Sequence, residues 1–414
     1  MLGLRTFLSI GLLLAAGSAS AGESLVSPAD FSGMIDLRAS AADGERSWLE
    51  GGLGKTRVSG GGNHAAVHAR LGQSLLSWNP HLTWELSATV IGQYQPEHDR
   101  GPALSQAFLT YKPTPHSDTR FSARFGLLYP QISLEHTGPA WTDPDMITPS
   151  AINSWVGEEV KVVAAEATVR RAFGDQAISA TIAVFGYNDT SGTLLTTRGW
   201  ALGDMTAGAP DRFNLPPLGP FMSQVQAPVT NPVFEIDHHA GGYGRLEWDI
   251  GGSFSVNAFV YDNNGNLTGF SDGQWAWRTR FVNMGARLDI DSRTHLLAQA
   301  MSGDTRFGYA EPDIWVDTTF QAAYALIRRD FGPDALSARL DLFQTRDHTG
   351  LEYGDTREQG WALTADYRRR LSGHASLLVE VLHVASNRPA RLDILGQAPR
   401  TGQTVAQAAL RLSF

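Results

Sequence analysis

The chain has 414 residues, a formal charge of −9 and no cysteine, and of its basic residues only Lys55, Lys112 and Lys161 are lysine. An acidic balance argues against nucleic acid as a partner, and a cysteine-free chain that enters an oxidising compartment is held together by something other than disulfides. Length alone suggests two or three soluble domains, yet no linker, charge block or low-complexity tract divides the sequence.

Met1 to Ala21 opens with Arg5, continues with an apolar run from Phe7 to Ala16, and ends in Ala19-Ser20-Ala21 before Gly22. That order is the pattern of a secretory signal peptide cleaved after Ala21, which leaves residues 22–414 as one expected domain. Past Gly22 the apolar runs are short, so a membrane protein of this sequence must span with strands. Only helices and closed barrels satisfy the backbone in lipid.

Period-two alternation then recurs along the chain. Phe31–Arg38 reads as the first strand; Trp48–Val58 also looks extended but is not assigned as spanning. Leu82, Trp84, Leu86, Ala88 and Val90 alternate with Thr83, Glu85, Ser87 and Thr89. Phe121, Ala123 and Phe125 oppose Ser122, Arg124 and Gly126; Ile178, Ala180 and Ile182 oppose Ser179 and Thr181. Phe254, Val256, Ala258 and Val260 oppose Ser255 and Asn257, and Leu336, Ala338, Leu340 and Leu342 oppose Ser337, Arg339 and Asp341. The last residues repeat the pattern, with Leu410, Leu412 and Phe414 against Arg411 and Ser413. A terminal aromatic in such a strand resembles the ending that the barrel-assembly machinery of the outer membrane recognises.

The connections separate a barrel from a sandwich. Short links (77–81, 113–118, 172–176, 250–251, 291–293, 330–334, 372–374) alternate with long ones (92–103, 130–157, 188–235, 263–276, 302–315, 347–358, 386–403). Short periplasmic turns and long outer loops are the asymmetry of outer-membrane barrels. The expected fold is therefore an all-β transmembrane antiparallel barrel of about sixteen strands, in contact with lipid and lipopolysaccharide.

In that barrel 130–157 is the third outer loop, expected to fold into the lumen as a constriction carrying Glu135, Asp143 and Asp145. Parity turns Arg124, Arg170, Arg245 and Arg339 inward as pore-lining residues, with Glu85, Glu166, Glu247 and Asp341 as their acidic counterparts. Opposed charges around a narrow pore select solutes by charge and dipole. Arginine on the lipid face would cost about 2–4 kcal/mol at mid-depth, so energy supports the inward assignment. Arg278 and Arg280 conflict in parity with Val282 and Met284, which suggests a bulge near Phe281 or an outer-loop position. Trp84, Tyr111, Tyr129, Trp248, Phe320, Tyr324, Trp361, Tyr367 and Phe414 are candidates for interfacial aromatic girdles.

Several motifs fail on inspection. Asp262, Asn264 and Asn266 open like a calcium loop, but Leu267 and Gly273 occupy the positions of its glycine and closing glutamate. His238 and His239 alternate across a strand, and Gly303–Arg306 recurs as Gly354–Arg357 without a binding logic. No nucleophile elbow, zinc-protease helix or phosphate loop is present. No metal, cofactor or catalytic set is expected.

Leu128–Glu135, Ile147–Trp155, Tyr261–Asn264 and Trp277–Phe281 are similar to segments of proteobacterial outer-membrane proteins of the porin superfamily, with the phosphate-selective porins as named relatives. The resemblance implies passive passage of small polar solutes and a homotrimer. Those relatives carry a lumen rich in lysine and arginine, from which this acidic, lysine-poor chain departs. The rival readings are a non-conducting adhesin or structural barrel, and a barrel enzyme such as a lipid hydrolase.

Overall fold

A computed structural model describes residues 27–61, 64–309, 314–349 and 354–414; the signal-peptide segment lies outside them. Sixteen strands close into one barrel. In chain order they are β1 Phe31–Ala42, β2 Ala66–Trp78, β3 Leu86–Tyr94, β4 Ala103–Tyr111, β5 Thr119–Leu128, β6 Val162–Phe173, β7 Gln176–Gly186 and β8 Gly241–Ile250. They continue with β9 Phe254–Asp262, β10 Arg278–Asp291, β11 Thr294–Gly308, β12 Ile314–Phe331, β13 Asp334–Asp347, β14 Glu358–Arg370, β15 Ala375–Asn387 and β16 Arg400–Ser413. Neighbours in sequence are antiparallel neighbours in space. The seam is sealed by β1 against β16, from Met34↔Ser413 to Ala42↔Val405. Closure leaves no unpaired edge, which is what allows strands to stand in lipid. No helix among the described residues is long and apolar enough to cross a membrane.

The alternation decides the two faces. On β13, Leu336, Leu340 and Leu342 are exposed on the outside, while Ser337, Arg339, Asp341 and Phe343 are buried inside. The same apolar outer face recurs at Ile182 and Val184 on β7, Val282 and Met284 on β10, and Val379 and Val381 on β15. At the C-terminus, Phe414 N and O each bond Gly33 across the seam at 3.2 Å. Its ring lies where a Cβ on Gly33 would stand, 2.4 Å from Cζ, so a side chain at that position would displace the ring.

Long and short connections alternate around the two rims. On one rim lie L1 (43–65), L2 (95–102), L3 (129–161), L4 (187–240), L5 (263–277), L6 (309–313), L7 (348–357) and L8 (388–399); L6, expected as a long link over 302–315, is only five residues because β11 runs on to Gly308. Trp48–Val58, extended in appearance, lies in L1 as a short 3-10 turn at Trp48–Glu50 followed by irregular chain. Strand β3 starts at Leu86 rather than Leu82. The hydroxyl of Thr83 accepts from the backbone N–H of Glu85 and Leu86, and such a local bond competes with ladder pairing. No bulge occurs at Phe281: β10 pairs in register from Arg278 to Asp289, and Arg280 lies on the outer face near the long-loop end, bonded to Asp304 at 2.8 Å.

The interior departs from a simple wet cylinder. Helix α1 (Ala151–Glu159) in L3 has all nine residues buried. Trp155 packs 5.5 Å from Phe281 and 5.2 Å from Phe320, ring centre to ring centre. Inward aromatics on β7 to β13, including Phe185, Tyr243, Tyr261 and Phe343, form one apolar cluster with α1 and with Trp200 of L4. Of the girdle candidates, Phe320 and Tyr324 belong to this inner cluster and Tyr129 is buried in L3. Trp84 lies in the exposed turn before β3, while Tyr111, Trp248, Trp361 and Phe414 remain on the outside. Tyr367 faces outward and donates to Asp334 at 2.7 Å.

Candidate functional site

L3 is fixed to one side of the lumen. On β13, Arg339 donates from Nη1 to Glu135 at 3.0 Å and to the Thr148 carbonyl at 2.8 Å, and from Nη2 to the Pro149 carbonyl at 3.0 Å. Its Nε reaches Asp341 at 2.8 Å, and Asp341 accepts from Ala151 N at 3.0 Å. On β15, Glu380 accepts from the N–H of Ile147 and Thr148 at 3.0 and 2.9 Å. On β16, Arg411 donates to the carbonyls of Asp143 and Met146 at 2.5 and 3.0 Å, and to Asp36 of β1 at 3.0 Å. Asp145 sits between Arg328 of β12 and Arg368 of β14, 2.5 Å from each.

Two of the acids expected to form a constriction, Glu135 and Asp145, therefore hold the loop to the wall. Glu135 also accepts from the Ser150 hydroxyl at 2.6 Å and from the Asn153 amide. Asp143 accepts from Asp145 N and Met146 N through one oxygen. Burial beside Glu135 and Asp145 pushes its carboxyl well above the usual range. Arg339 and Asp341 face inward but lie under L3 with side chains 0% and 1% exposed; they do not border open space. Glu85 is not on a strand, and its carboxylate accepts from Thr114 N at 3.1 Å in the short-turn region.

The open side lies across from those anchors. A cavity of 380 Å³ runs between L3 and the inner wall of β4 to β8, bordered by Arg124, Arg170, Arg245 and Glu247 among other polar groups. Register stacks the wall in three rungs. Arg124 faces Glu166, then Ala183 and Tyr243; Ser122 faces Thr168, Thr181 and Arg245; Arg120 faces Arg170, Ser179 and Glu247. Each arginine of the cavity has its own carboxylate. Arg124 pairs with Glu166 at 2.7 Å, Arg170 with Asp249 at 2.6 Å, and Arg245 with Glu247. The Tyr243 hydroxyl donates to Glu166 at 2.8 Å.

On the loop side, Trp141 stacks on Tyr129 at 4.1 Å and on His136 at 3.6 Å. Ala140 and Trp141 both take left-handed backbone, φ 55° and 61°, a conformation costing each non-glycine residue about 1–3 kcal/mol. The stack stabilises that strained tip. Ser133 Oγ lies 2.8 Å from His136 Nδ1 and also accepts from the N–H of Glu135 and His136. That is a local turn inside the lumen rather than a nucleophile at the rim.

L4 covers the long-loop end of this cavity. Gln93 and Gln95 of β3 and L2 donate to the carbonyls of Thr206 and Asp204, and Leu104 bonds Ala209 in both directions. Asp204 is held by Arg38 of β1 and Arg57 of L1, at 2.8 and 2.9 Å, and their guanidinium charges keep its carboxyl far below the usual range. Elsewhere in L4, Asp189, Glu235 and Asp237 gather their oxygens within 4.8 Å. Asp189 accepts from the N–H of Ile236 and Asp237, Glu235 from Tyr187 N, and Asp237 from His239 N, so these carboxylates staple the loop. The residues that sequence reasoning missed are Asp36, Arg328, Arg368, Glu380 and Arg411. Inward parity between apolar neighbours, as in Val379-Glu380-Val381, was the available signal.

No protein-family model and no curated protein matches the chain. Among solved structures it is similar to the outer membrane channel DcaP of Acinetobacter baumannii, with 12% identity, 95% of this chain and 100% of that chain covered, and a TM-score of 0.55. An anion-selective porin from Comamonas acidovorans matches at 12% identity, 93% and 98% coverage and a TM-score of 0.51. OmpF of Salmonella typhi matches at 11% identity, 93% and 97% coverage and a TM-score of 0.51. At these identities the likeness is one of fold: the chain is a sixteen-stranded antiparallel barrel built like the porins of the bacterial outer membrane.

Proposed function

We propose that this chain is an outer-membrane porin through which small polar solutes diffuse passively. The observation that carries the reading is the 380 Å³ polar cavity left open between L3 and the β4 to β8 wall. It lies inside a barrel whose outer face is apolar, so the cavity is separated from lipid by one layer of strand. Solutes cross beside L3, against the wall that bears Arg124, Arg170 and Arg245, and the short turns face the periplasm. Export follows cleavage after Ala21, and insertion uses the terminal Phe414 as the signal for the assembly machinery. Full-length mature protein in a planar bilayer is expected to give stepwise, water-filled conductance. A barrel that inserts completely and never conducts overturns the proposal in favour of a structural or adhesive role.

A further inference from the structure

Resting on that reading, we infer that the channel selects net-neutral polar solutes, zwitterions above all, over ions of either sign. Three arginines border the cavity, and each is matched by a wall carboxylate within contact distance: Glu166 for Arg124, Asp249 for Arg170, Glu247 for Arg245. Each pair is a compact dipole, whose field dies away much faster than that of a lone charge. The L3 side adds no free charge to offset this balance. Glu135 is consumed by Arg339, and Asp145 lies between Arg328 and Arg368. An inorganic ion crossing here meets attraction and repulsion together, and trades its hydration for neither.

A zwitterion fits the same wall differently. Successive rungs are two residues apart along each strand, roughly 7 Å, and the first and third rungs each hold groups of both signs, Arg124 with Glu166 and Arg170 with Glu247. Thr168 and Thr181, bonded to each other at 2.8 Å, share the middle rung with Arg245 and offer neutral hydrogen-bond partners beside it. The solute's ammonium and carboxylate can each be handed from one pair to the next. Arg170 with Asp249, 43% and 27% accessible, and Arg245 with Glu247, 14% and 20%, reach the open space and can lend these contacts, while Glu166 is buried beside Arg124.

The test uses the full mature chain in two measurements. Single-channel recording in potassium chloride first establishes that the pore conducts; silence there sinks the porin reading itself. In a salt gradient the cation-to-anion permeability ratio is then expected within about twofold of unity, as balanced charged rings require. Glu247→Gln leaves Arg245 unmatched and should turn the ratio toward anions, while Arg245→Gln should turn it toward cations. Proteoliposomes are expected to swell faster in glycine than in sodium acetate or methylammonium chloride. A conducting wild-type channel with a ratio beyond about tenfold, or one that passes acetate or methylammonium faster than glycine, refutes the solute class while leaving the channel intact.

Discussion

Arg339 and Glu135 meet at 3.0 Å with both side chains shut away from solvent, and this contact ties the wall strand β13 to L3. Removing Arg339 strands Glu135 and Asp341 as unmatched buried charges. Breaking a buried pair in this way costs about 3–5 kcal/mol. Arg339→Ala is therefore expected to lower the denaturant midpoint clearly and to raise single-channel conductance as L3 leaves the wall. Arg339→Met, which removes the charge but keeps much of the volume, should still lose the loop anchor. Unchanged conductance in both would show that L3 is held elsewhere.

Asp143→Asn gives the opposite expectation. Burial raises the Asp143 carboxyl well above the usual range, which favours its neutral form, and the amide preserves an oxygen for the N–H groups of Asp145 and Met146. Ion selectivity at neutral pH should stay as in the parent protein, with stability within about 1 kcal/mol. A change in reversal potential would mean that the carboxyl is ionised and exposed to the pore.

His98 of L2 and Asp211 of L4 face each other between the outer loops, buried and 3.1 Å apart, an arrangement expected to act as a proton-dependent latch. His98 Nε2 donates to the Thr206 carbonyl at 3.0 Å, so Nδ1, 3.1 Å from Asp211 Oδ2, carries only a lone pair when the ring is neutral. Burial pushes Asp211 up to about 6, helped by Asp99 and opposed by Lys161 and Arg100. Burial also pushes His98 down to about 4; Lys161 and Arg57 act in the same direction and Glu97 against it. With Asp211 raised to about 6 and His98 lowered to about 4, a protonated carboxyl is expected to face a neutral ring between these limits, able to donate to Nδ1. Above pH 6 the ionised carboxylate faces a lone pair and the contact is lost. Conductance is expected to rise between pH 5 and pH 8. Asp211→Asn keeps a donor toward Nδ1 at every pH and should hold the low-pH value throughout. A profile identical in the variant and the parent would exclude the latch.

Leu340 tests the outer face. It is 45% exposed on β13, between the inward Arg339 and Asp341. Leu340→Arg places a guanidinium in hydrocarbon at a cost of about 2–4 kcal/mol near the bilayer midplane. Folding into lipid vesicles should be less complete than for Leu340→Ala, with the difference shrinking in detergent. Equal folding of the two variants in lipid would show that this face does not meet acyl chains.

Strand periodicity and link lengths carried most of the architecture, because lipid outside and ladder pairing on both sides constrain every second residue of a wall. The sequence signal weakened where backbone bonds were local. Thr83 makes a turn out of residues that alternate like a strand, and that misplaced Glu85 by parity alone. It weakened again inside the lumen. Arg339 and Glu135 are 204 positions apart, so nothing near either residue reveals that they neutralise each other. The alternation Leu340, Leu342 against Arg339, Asp341 showed which way these groups point. It could not show that α1 would cover them, because the apolar run Ile152, Trp155, Val156 finds its partners on distant strands.

Arg411 has a consequence for how the molecule is assembled. Its guanidinium grips Asp36 on the first strand and two L3 carbonyls at once, although it belongs to the last strand synthesised. Zipping the final hairpin onto the first strand and lodging the inner loop are thereby made a single cooperative event. A cylinder that closed empty would forgo two of that arginine's three bonds, so the chain is biased against sealing before it is furnished.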